Sequence, residues 1–378
     1  MIIRDAIHGS IEFSALEESV LGSPLLQRLR YVKQLATAYL VFPSAQHTRF
    51  EHSAGAMHLT GSLCKKLGVE EGQAKLLRLA ALLHDVGHAA FAHETEHVMV
   101  KHTGLNHEER GIKILEKNEL AEKIEDEGLS FKQLKTMMEG NGLASMLTKD
   151  LGTDRIDYLL RDAYFTGVAY SLIDADRLMN SMCVHNGEVV VTEKGRLAAE
   201  SLLASRYFMF NVVYYHPTIR IAGEMVAKAI DEALEEGELT VEEAIGGTDY
   251  GVLHDLSKKN SSLAKCVLER KLFKKAVVAD AASGEAANFF SSKSAAKEIS
   301  QAMEKAGLQE NDFVACMPYM HTKKLSVKLL NNEKKIEDLA ATSSLIQALQ
   351  KERRESHFIL AVEEKNKAKA DRAIGKLF

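Results

Sequence analysis

The stretch Leu82-Leu83-His84-Asp85-Val86-Gly87-His88-Ala89-Ala90-Phe91-Ala92-His93 concentrates the chemistry of this chain. An apolar run delivers an imidazole and a carboxylate side by side, and Gly87 lets the backbone bend close to them. Imidazole with carboxylate suits a borderline divalent ion such as Mn, Fe, Co, Ni or Zn, with Mg as the harder choice. Two adjacent ligands are too few to hold it, so partners must come from elsewhere. Upstream, Arg49-Phe50-Glu51-His52-Ser53 puts a histidine at the start of a helix. Downstream, Thr153-Asp154-Arg155-Ile156-Asp157-Tyr158 puts a carboxylate in the first turn of another. A site of His52, His84, Asp85 and Asp154 would leave octahedral positions open for water or a phosphate oxygen, as hydrolysis requires. Each element alone has a plainer reading; Asp154, for instance, could serve only to stabilise a helix end. Density tips the balance, because His84, His88, His93, His97, His102 and His107 crowd one short span of a chain with 15 histidines.

Around the expected ion, His88 lies one turn after His84 and can point into the same cleft. His93, Glu96, His107 and Glu108 are candidates for a second layer that polarises water, protonates a leaving oxygen or clamps phosphate. Glu108, beside His107, would set that ring's tautomer and raise its pKa. His97 and His102 read as exposed or loop-anchoring. Arg49 and Arg206 are the natural anion clamps, since a guanidinium grips phosphate with two prongs. Tyr158 and Asp162, four apart on one helix, share a face. That pair suits a sugar or base, and equally suits an ordinary amphipathic helix.

These residues need helices to hold them. Ser23-Pro24 predicts an N-cap and first turn. Further helices are expected over 53–67, 71–84, from Asn106 with Glu109 three residues on to about 118, and from Thr153 through Arg161. Segment 95–107 reads as a loop or short helical turn. A hairpin is expected over 2–13 around His8-Gly9-Ser10, and a clearer one over 184–193 around Asn186-Gly187. Two long helices, 195–215 and 217–236, follow. Beyond them, short strands at 275–280, 313–317, 325–329 and 357–362 alternate with helices at 293–306, 333–350 and 364–376. The expected fold is mainly α: a helical catalytic domain over 1–275 with small β-hairpins, then a small α+β C-terminal lobe over 276–378. The lysines of that lobe read as a solvated face.

Composition narrows the function. The 378 residues can bury a large core and divide into two domains. A net charge of −5, from 48 basic and 53 acidic residues, provides no global field for nucleic acid, so no general nucleic-acid binding is expected. The four cysteines are scattered without a CxxC pair, which points away from thiolate zinc or a disulfide framework and towards a reducing cytoplasm. The opening residues carry Arg4, Asp5, His8 and Glu12, so no signal peptide is expected. No run is long and apolar enough to span a membrane, and no membrane association is expected.

With these residues in hand, the chain resembles the HD-domain metal-dependent phosphohydrolase superfamily. Within it, the chain is similar to the deoxynucleoside triphosphate triphosphohydrolase branch, which includes the vertebrate SAM- and HD-domain protein and bacterial dGTPases. The resemblance rests on Asp5-Ala-Ile-His8-Gly9, Gln27-Arg-Leu-Arg30, Phe42-Pro43, Gln46-His-Thr-Arg49-Phe-Glu-His52-Ser53 and the His84 to His93 stretch. Asn106-His107-Glu108 and Asp154-Arg-Ile-Asp157-Tyr158-Leu-Leu-Arg161-Asp162 complete it. It covers roughly residues 1–220, and no sterile-alpha-motif domain is expected ahead of them.

The resemblance implies metal ligation by His52, His84, Asp85 and Asp154. It implies that His93 is the general acid, oriented by Glu96, with His88 and His107 on the phosphates and Arg49 and Arg206 on the phosphate tail. Tyr158 and Asp162 would lie along the deoxyribose, with Tyr214 flanking. Phe210 and Tyr215 depart from the histidine and glutamine often found there, which bears on nucleotide specificity and not on the metal. The implied reaction is metal-dependent hydrolysis of a deoxynucleoside triphosphate to deoxynucleoside and inorganic triphosphate, with manganese among the candidate ions. A homo-oligomer, dimer or larger, is implied as well. The competing readings are a nucleotide phosphomonoesterase or phosphodiesterase on the same site, and a non-catalytic nucleotide sensor.

Overall fold

Alternation around a glycine turn makes the first element a hairpin. In the computed structural model, which describes residues 1–171, 173–281, 284–292, 294–318, 327–351, 357–375 and 377, β1 (Ile2–Asp5) pairs antiparallel with β2 (Gly9–Glu12). The helix Pro24–Arg28 follows, with the Ser23 side chain accepting from the Leu26 amide as its cap.

Helix α1 (Arg49–Leu67) begins earlier than the expected residue 53, because Thr48 caps it and Glu51 closes a capping box. His52 is therefore already inside the first helical turn. Helix α2 (Glu71–Leu83) buries Leu76, Leu77 and the run Leu79 to Leu83, and stops with His84 as its C-cap. Where a loop or short turn was expected, a 3-10 turn (Ala92–Thr95) leads into α3 (Glu96–Thr103). Helix α4 (His107–Glu116) starts on the anticipated Asn106/Glu109 capping box. Helix α5 runs Thr153–Thr166, past the expected Arg161, and ends at Gly167 in the left-handed conformation. Helices α1 and α5 touch closely because Gly55 has no side chain: a Cβ there would lie 1.9 Å from Asp157 Oδ1.

The second hairpin joins β3 (Met182–His185) to β4 (Glu188–Thr192), and Asn186 and Gly187 both take positive φ, as that turn demands. Helix α6 (Arg196–Met209) does not run unbroken to residue 215: it widens into a π-turn at Phe210–Tyr214 before α7 (Pro217–Glu235). Helix α8 (Asp249–Lys258) packs near α7.

The rest of the chain supplies β5 (Lys274–Asp280), α9 (Ala295–Lys305), β6 (Phe313–Cys316), β7 (Lys328–Leu330), β8 (Ile336–Asp338), β9 (His357–Val362) and α10 (Lys367–Ile374). Strands β5, β9 and β6 form an antiparallel sheet in that order. One face packs Phe313, Phe358, Leu360 and Val362 against Ile299 and Met303 of α9 and Ala370 and Ile374 of α10. The other packs Val314, Cys316, Ile359 and Ala361 in one core with Met225, Val226 and Ile230 of α7. The strand expected at 325–329 lies partly outside the described residues. The helix expected over 333–350 is a correction: it divides into β8 and the helices Leu339–Thr342 and Ser344–Lys351. Two polar stops divide it, since Asp338 caps at Ala340 and Ser343 at Ile346. Strand β7 joins β4 in parallel, Val191 opposite Leu329, in a sheet ordered β3-β4-β7-β8. Among the described residues, no helix is long and apolar enough to cross a membrane.

Candidate metal centre and its cavity

The first turns of α1 and α5 and the C-terminal end of α2 meet at one point. His52 Nε2 lies 3.0 Å from Asp154 Oδ1 and 3.9 Å from Asp85 Oδ2. His84 Nε2 lies 3.3 Å from Asp85 Oδ1 and 3.7 Å from Asp154 Oδ1. The far nitrogen of each ring is tied down: His52 Nδ1 to Asp157 Oδ2 at 2.7 Å, and His84 Nδ1 to the Ala81 carbonyl at 2.7 Å. With Nδ1 donating, each ring turns its Nε2 lone pair to the same spot, the arrangement by which outer partners orient metal-binding histidines. The donor set fits one divalent ion: ligand atoms of His52, His84 and Asp85 lie within 4.8 Å of one another, and Asp154 reaches both rings. Burial works against the charged form of His52, yet Asp154 and Asp157 carry its pKa up to about 10, so an ion here competes with a proton.

Asp157 is the hidden support of this corner. It also accepts from His8 Nε2 at 2.6 Å and from Arg161 at 2.9 and 3.0 Å, and Arg161 Nη1 reaches Asp5 Oδ2 at 2.8 Å. Sequence reasoning gave Asp157 no role. The signal was present, because Asp157 and Arg161 are four apart on α5, but attention went to the neighbouring pair Tyr158 and Asp162. Arg49, expected to clamp an anion, lines the cavity while its Nη1 holds Asp85 Oδ2 at 2.8 Å. Burial opposes the charge on Asp85; Arg49, His84 and His88 overcome it and keep the carboxyl well below its usual range.

Next to the corner, His88, His93 and His107 form a cluster of rings. His88 stacks on His107 with centroids 4.0 Å apart, and His93 stands edge-on to His88 at 4.6 Å. Gly87 brings α4 this close, since a Cβ there would sit 2.0 Å from the His107 carbonyl oxygen. Two expected partnerships differ. Glu96 does not orient His93: its Oε1 accepts from the backbone and Nδ1 of His107, at 2.7 and 3.2 Å, and its Oε2 from Arg110 at 2.6 Å. Glu108 points to the cavity, so Glu96 sets the His107 ring. Helix α3 opens on Glu96, and its first residue faces the start of α4, where His107 sits. His93 and His107 line the cavity; His88 lies fully buried behind them, its Nε2 3.4 Å from Asp85 Oδ1. His93 is open to the cavity, and partial desolvation together with the charges of Arg49 and His107 lowers its pKa below the usual imidazole value.

Tyr158 lines the cavity, but Asp162 and Tyr214 stand behind it. Asp162 is buried with both oxygens committed, Oδ1 to His47 Nε2 at 2.9 Å and Oδ2 to the Tyr214 hydroxyl at 2.6 Å. Of Tyr158, Asp162 and Tyr214, Tyr158 is the one that faces the cavity. Arg206 lines the cavity with Nη1 3.0 Å from Asp150 Oδ1, an oxygen that also holds Arg155 Nη1 at 2.7 Å. His102 anchors α3 to Asp231 of α7 at 2.7 Å, and His97 is exposed.

The cavity measures about 780 Å³, enough for a nucleotide. Its far wall comes from β4 and β7, through Glu188, the run Val189 to Val191, Val327 and Lys328. Sequence reasoning also missed Gln34, Lys149, Arg155 and Lys328 as lining residues. Arg155 was discoverable as the neighbour of Asp154. Lys328 was not, because only the β4–β7 pairing brings it there.

The HD domain family matches residues 49–162, and the HD associated region matches residues 173–376. An uncharacterized protein of Methanocaldococcus jannaschii is 35% identical over 277 residues, covering 72% of this chain and 58% of that protein. The deoxynucleoside triphosphate triphosphohydrolase SAMHD1 homolog of Dictyostelium discoideum is 31% identical over 258 residues, covering 61% of this chain and 49% of that protein. The chain thus spans little more than half of the first relative and about half of the second. A solved structure of a hypothetical protein from Aquifex aeolicus superposes with a TM-score of 0.80 at 29% identity, covering 99% of both chains.

Proposed function

Because this chain belongs to the HD-domain metal-dependent phosphohydrolase superfamily, we propose that it hydrolyses deoxynucleoside triphosphates at the α-phosphate, releasing deoxynucleoside and inorganic triphosphate. The observation that carries the hydrolase reading is the convergence of His52, His84, Asp85 and Asp154, with both Nε2 lone pairs aimed at one point by Asp157 and the Ala81 carbonyl. Those four residues would hold the ion, with manganese as our first choice. A divalent ion in such a site supplies Lewis-acid polarisation of a phosphoryl oxygen and an activated water.

The protein's own groups do the rest. Arg49 lines the cavity beside the corner and offers guanidinium to a phosphate while it holds Asp85 ionised. The negative charge of bound phosphate raises the depressed pKa of His93, so the ring takes up its proton after substrate arrives and returns it to the departing 5′ oxygen. Glu96 fixes the His107 ring next to His93. Tyr158 on the cavity wall stacks along the sugar, where a close ring disfavours a 2′-hydroxyl. The triphosphate reading is supported by the name of the Dictyostelium relative and by a cavity larger than one phosphate needs. We further propose a cytoplasmic homo-oligomer, a setting in keeping with four free cysteines.

A screen of nucleoside mono-, di- and triphosphates with Mn, Mg, Co, Ni, Fe and Zn tests this reading. We expect inorganic triphosphate from deoxynucleoside triphosphates, in a metal-dependent reaction. Orthophosphate or an opened cyclic nucleotide would replace the triphosphohydrolase with a monoesterase or diesterase. Nucleotide retention without turnover under every ion would leave a sensor.

A further inference from the structure

The cavity does not end at the metal corner. Arg155 follows Asp154 directly in the chain and shares Asp150 with Arg206, at 2.7 and 3.0 Å. Lys149 precedes Asp150 directly and shares Glu188 of β4 with Lys328 of β7, the Lys149 contact being 3.4 Å. All six residues line the same cavity. Lys149 and Asp150 are neighbours in the chain, and both ion groups line the cavity that Asp154 also lines. Among the described residues Asp150 meets Arg155 and Arg206, and Glu188 meets Lys149 and Lys328, on a cavity wall that also carries Glu108 and Glu139.

Stability does not explain the outer group. The β4–β7 register is fixed by Val191 opposite Leu329, both buried. Lys149 and Lys328 are about half exposed, and exposed ion pairs of this kind contribute about 0–1 kcal/mol. Their common place on the cavity wall points to a ligand. A single phosphate at the metal corner has Arg49 beside it, whereas a chain of phosphates presents further charges to the other cations of the same cavity.

Resting on the proposed triphosphate reading, we infer that Lys149 and Lys328, poised by Glu188, form a terminal-phosphate subsite that recognises the polyphosphate tail and discriminates against monophosphates. The HD associated region thereby takes part in substrate selection through Lys328 of β7.

Calorimetric titration of Mn-loaded protein with inorganic tripolyphosphate and, separately, orthophosphate tests this without turnover. We expect Lys328→Ala and Lys149→Ala each to weaken tripolyphosphate binding by roughly threefold to tenfold while orthophosphate changes less than about twofold. Lys328→Arg should retain most of the affinity. Unchanged tripolyphosphate binding, or equal loss of both anions, would overturn the subsite. Lys149→Ala lies outside the sheet and keeps the test valid if Lys328→Ala disturbs β7. If the wild-type chain releases inorganic triphosphate but the lysines prove silent, the subsite falls and the proposed activity stands. If tripolyphosphate binds through the lysines but no triphosphate is released, the activity falls and the subsite stands.

Discussion

Asp157 holds three donors at once, His52, His8 and Arg161, and makes no cavity contact itself. It acts through His52, keeping Nδ1 protonated so that Nε2 is free to bind. Asp157→Asn should weaken Mn binding about 10- to 100-fold, the usual effect of losing such an outer partner. Unchanged affinity in a folded variant, measured by titration, would remove it from that role. Glu94 offers a different test. Its Oε1 accepts from the Thr37 hydroxyl at 2.7 Å and its Oε2 is enclosed without a partner. Burial, then Asp249 and Glu224, push its pKa from 4.5 up to about 8. Between those two values the folded protein keeps a proton that the unfolded chain has lost, so this residue's contribution to stability falls as pH rises through that window. Glu94→Gln should therefore melt above wild type at pH 8 and lose that advantage near pH 5. Parallel melting profiles for the two proteins would contradict the sign. At this scale the candidate metal residues were legible because six histidines crowd the short span from His84 to His107 around an adjacent carboxylate. The committed oxygens of Asp162 were not, since His47 and Tyr214 arrive from other parts of the chain.

Helix ends carry the site; the Asn106/Glu109 capping signal was read in the sequence, whereas the Thr48/Glu51 box was not, and that helix was expected only from residue 53. Asn106 with Glu109 starts α4 and so places His107, while Thr48 with Glu51 starts α1 and so places His52. What local signals did not reveal is how near the helices come. Gly87 is the contact point for α4: a methyl there meets the His107 carbonyl at 2.0 Å, backbone that cannot step aside alone. Gly87→Ala should destabilise the fold by about 2 kcal/mol or more, as overpacking does, and displace His107. A melting temperature within a degree or so of wild type would refute that account of the glycine. The division of 333–350 into strand and helices was hidden for a related reason. Strand β8 exists by pairing with β7, and a helix-like local pattern yields to that pairing.

Across the whole molecule, the β-strands of the C-terminal part are tied to the helical part in two places. Strand β4 needs β7 as its neighbour, and α7 shares a core with the inner face of β6 and β9. A fragment ending at residue 275 would bare the α7 face together with the β4 edge. We expect it to bind hydrophobic dyes and aggregate; a monomeric fragment melting like the full chain would show that the two parts fold independently. The mainly α composition and most strands were visible in periodicity and turn residues. The cavity wall was not, because it depends on pairing between segments more than 130 residues apart. The most direct test of the metal centre is the metal content of purified chains by mass spectrometry, after loading with Mn and removal of the excess. Wild type should hold one ion per chain, and Asp154→Ala should hold almost none while keeping its circular dichroism. A folded Asp154→Ala protein that retains a full equivalent would contradict the account.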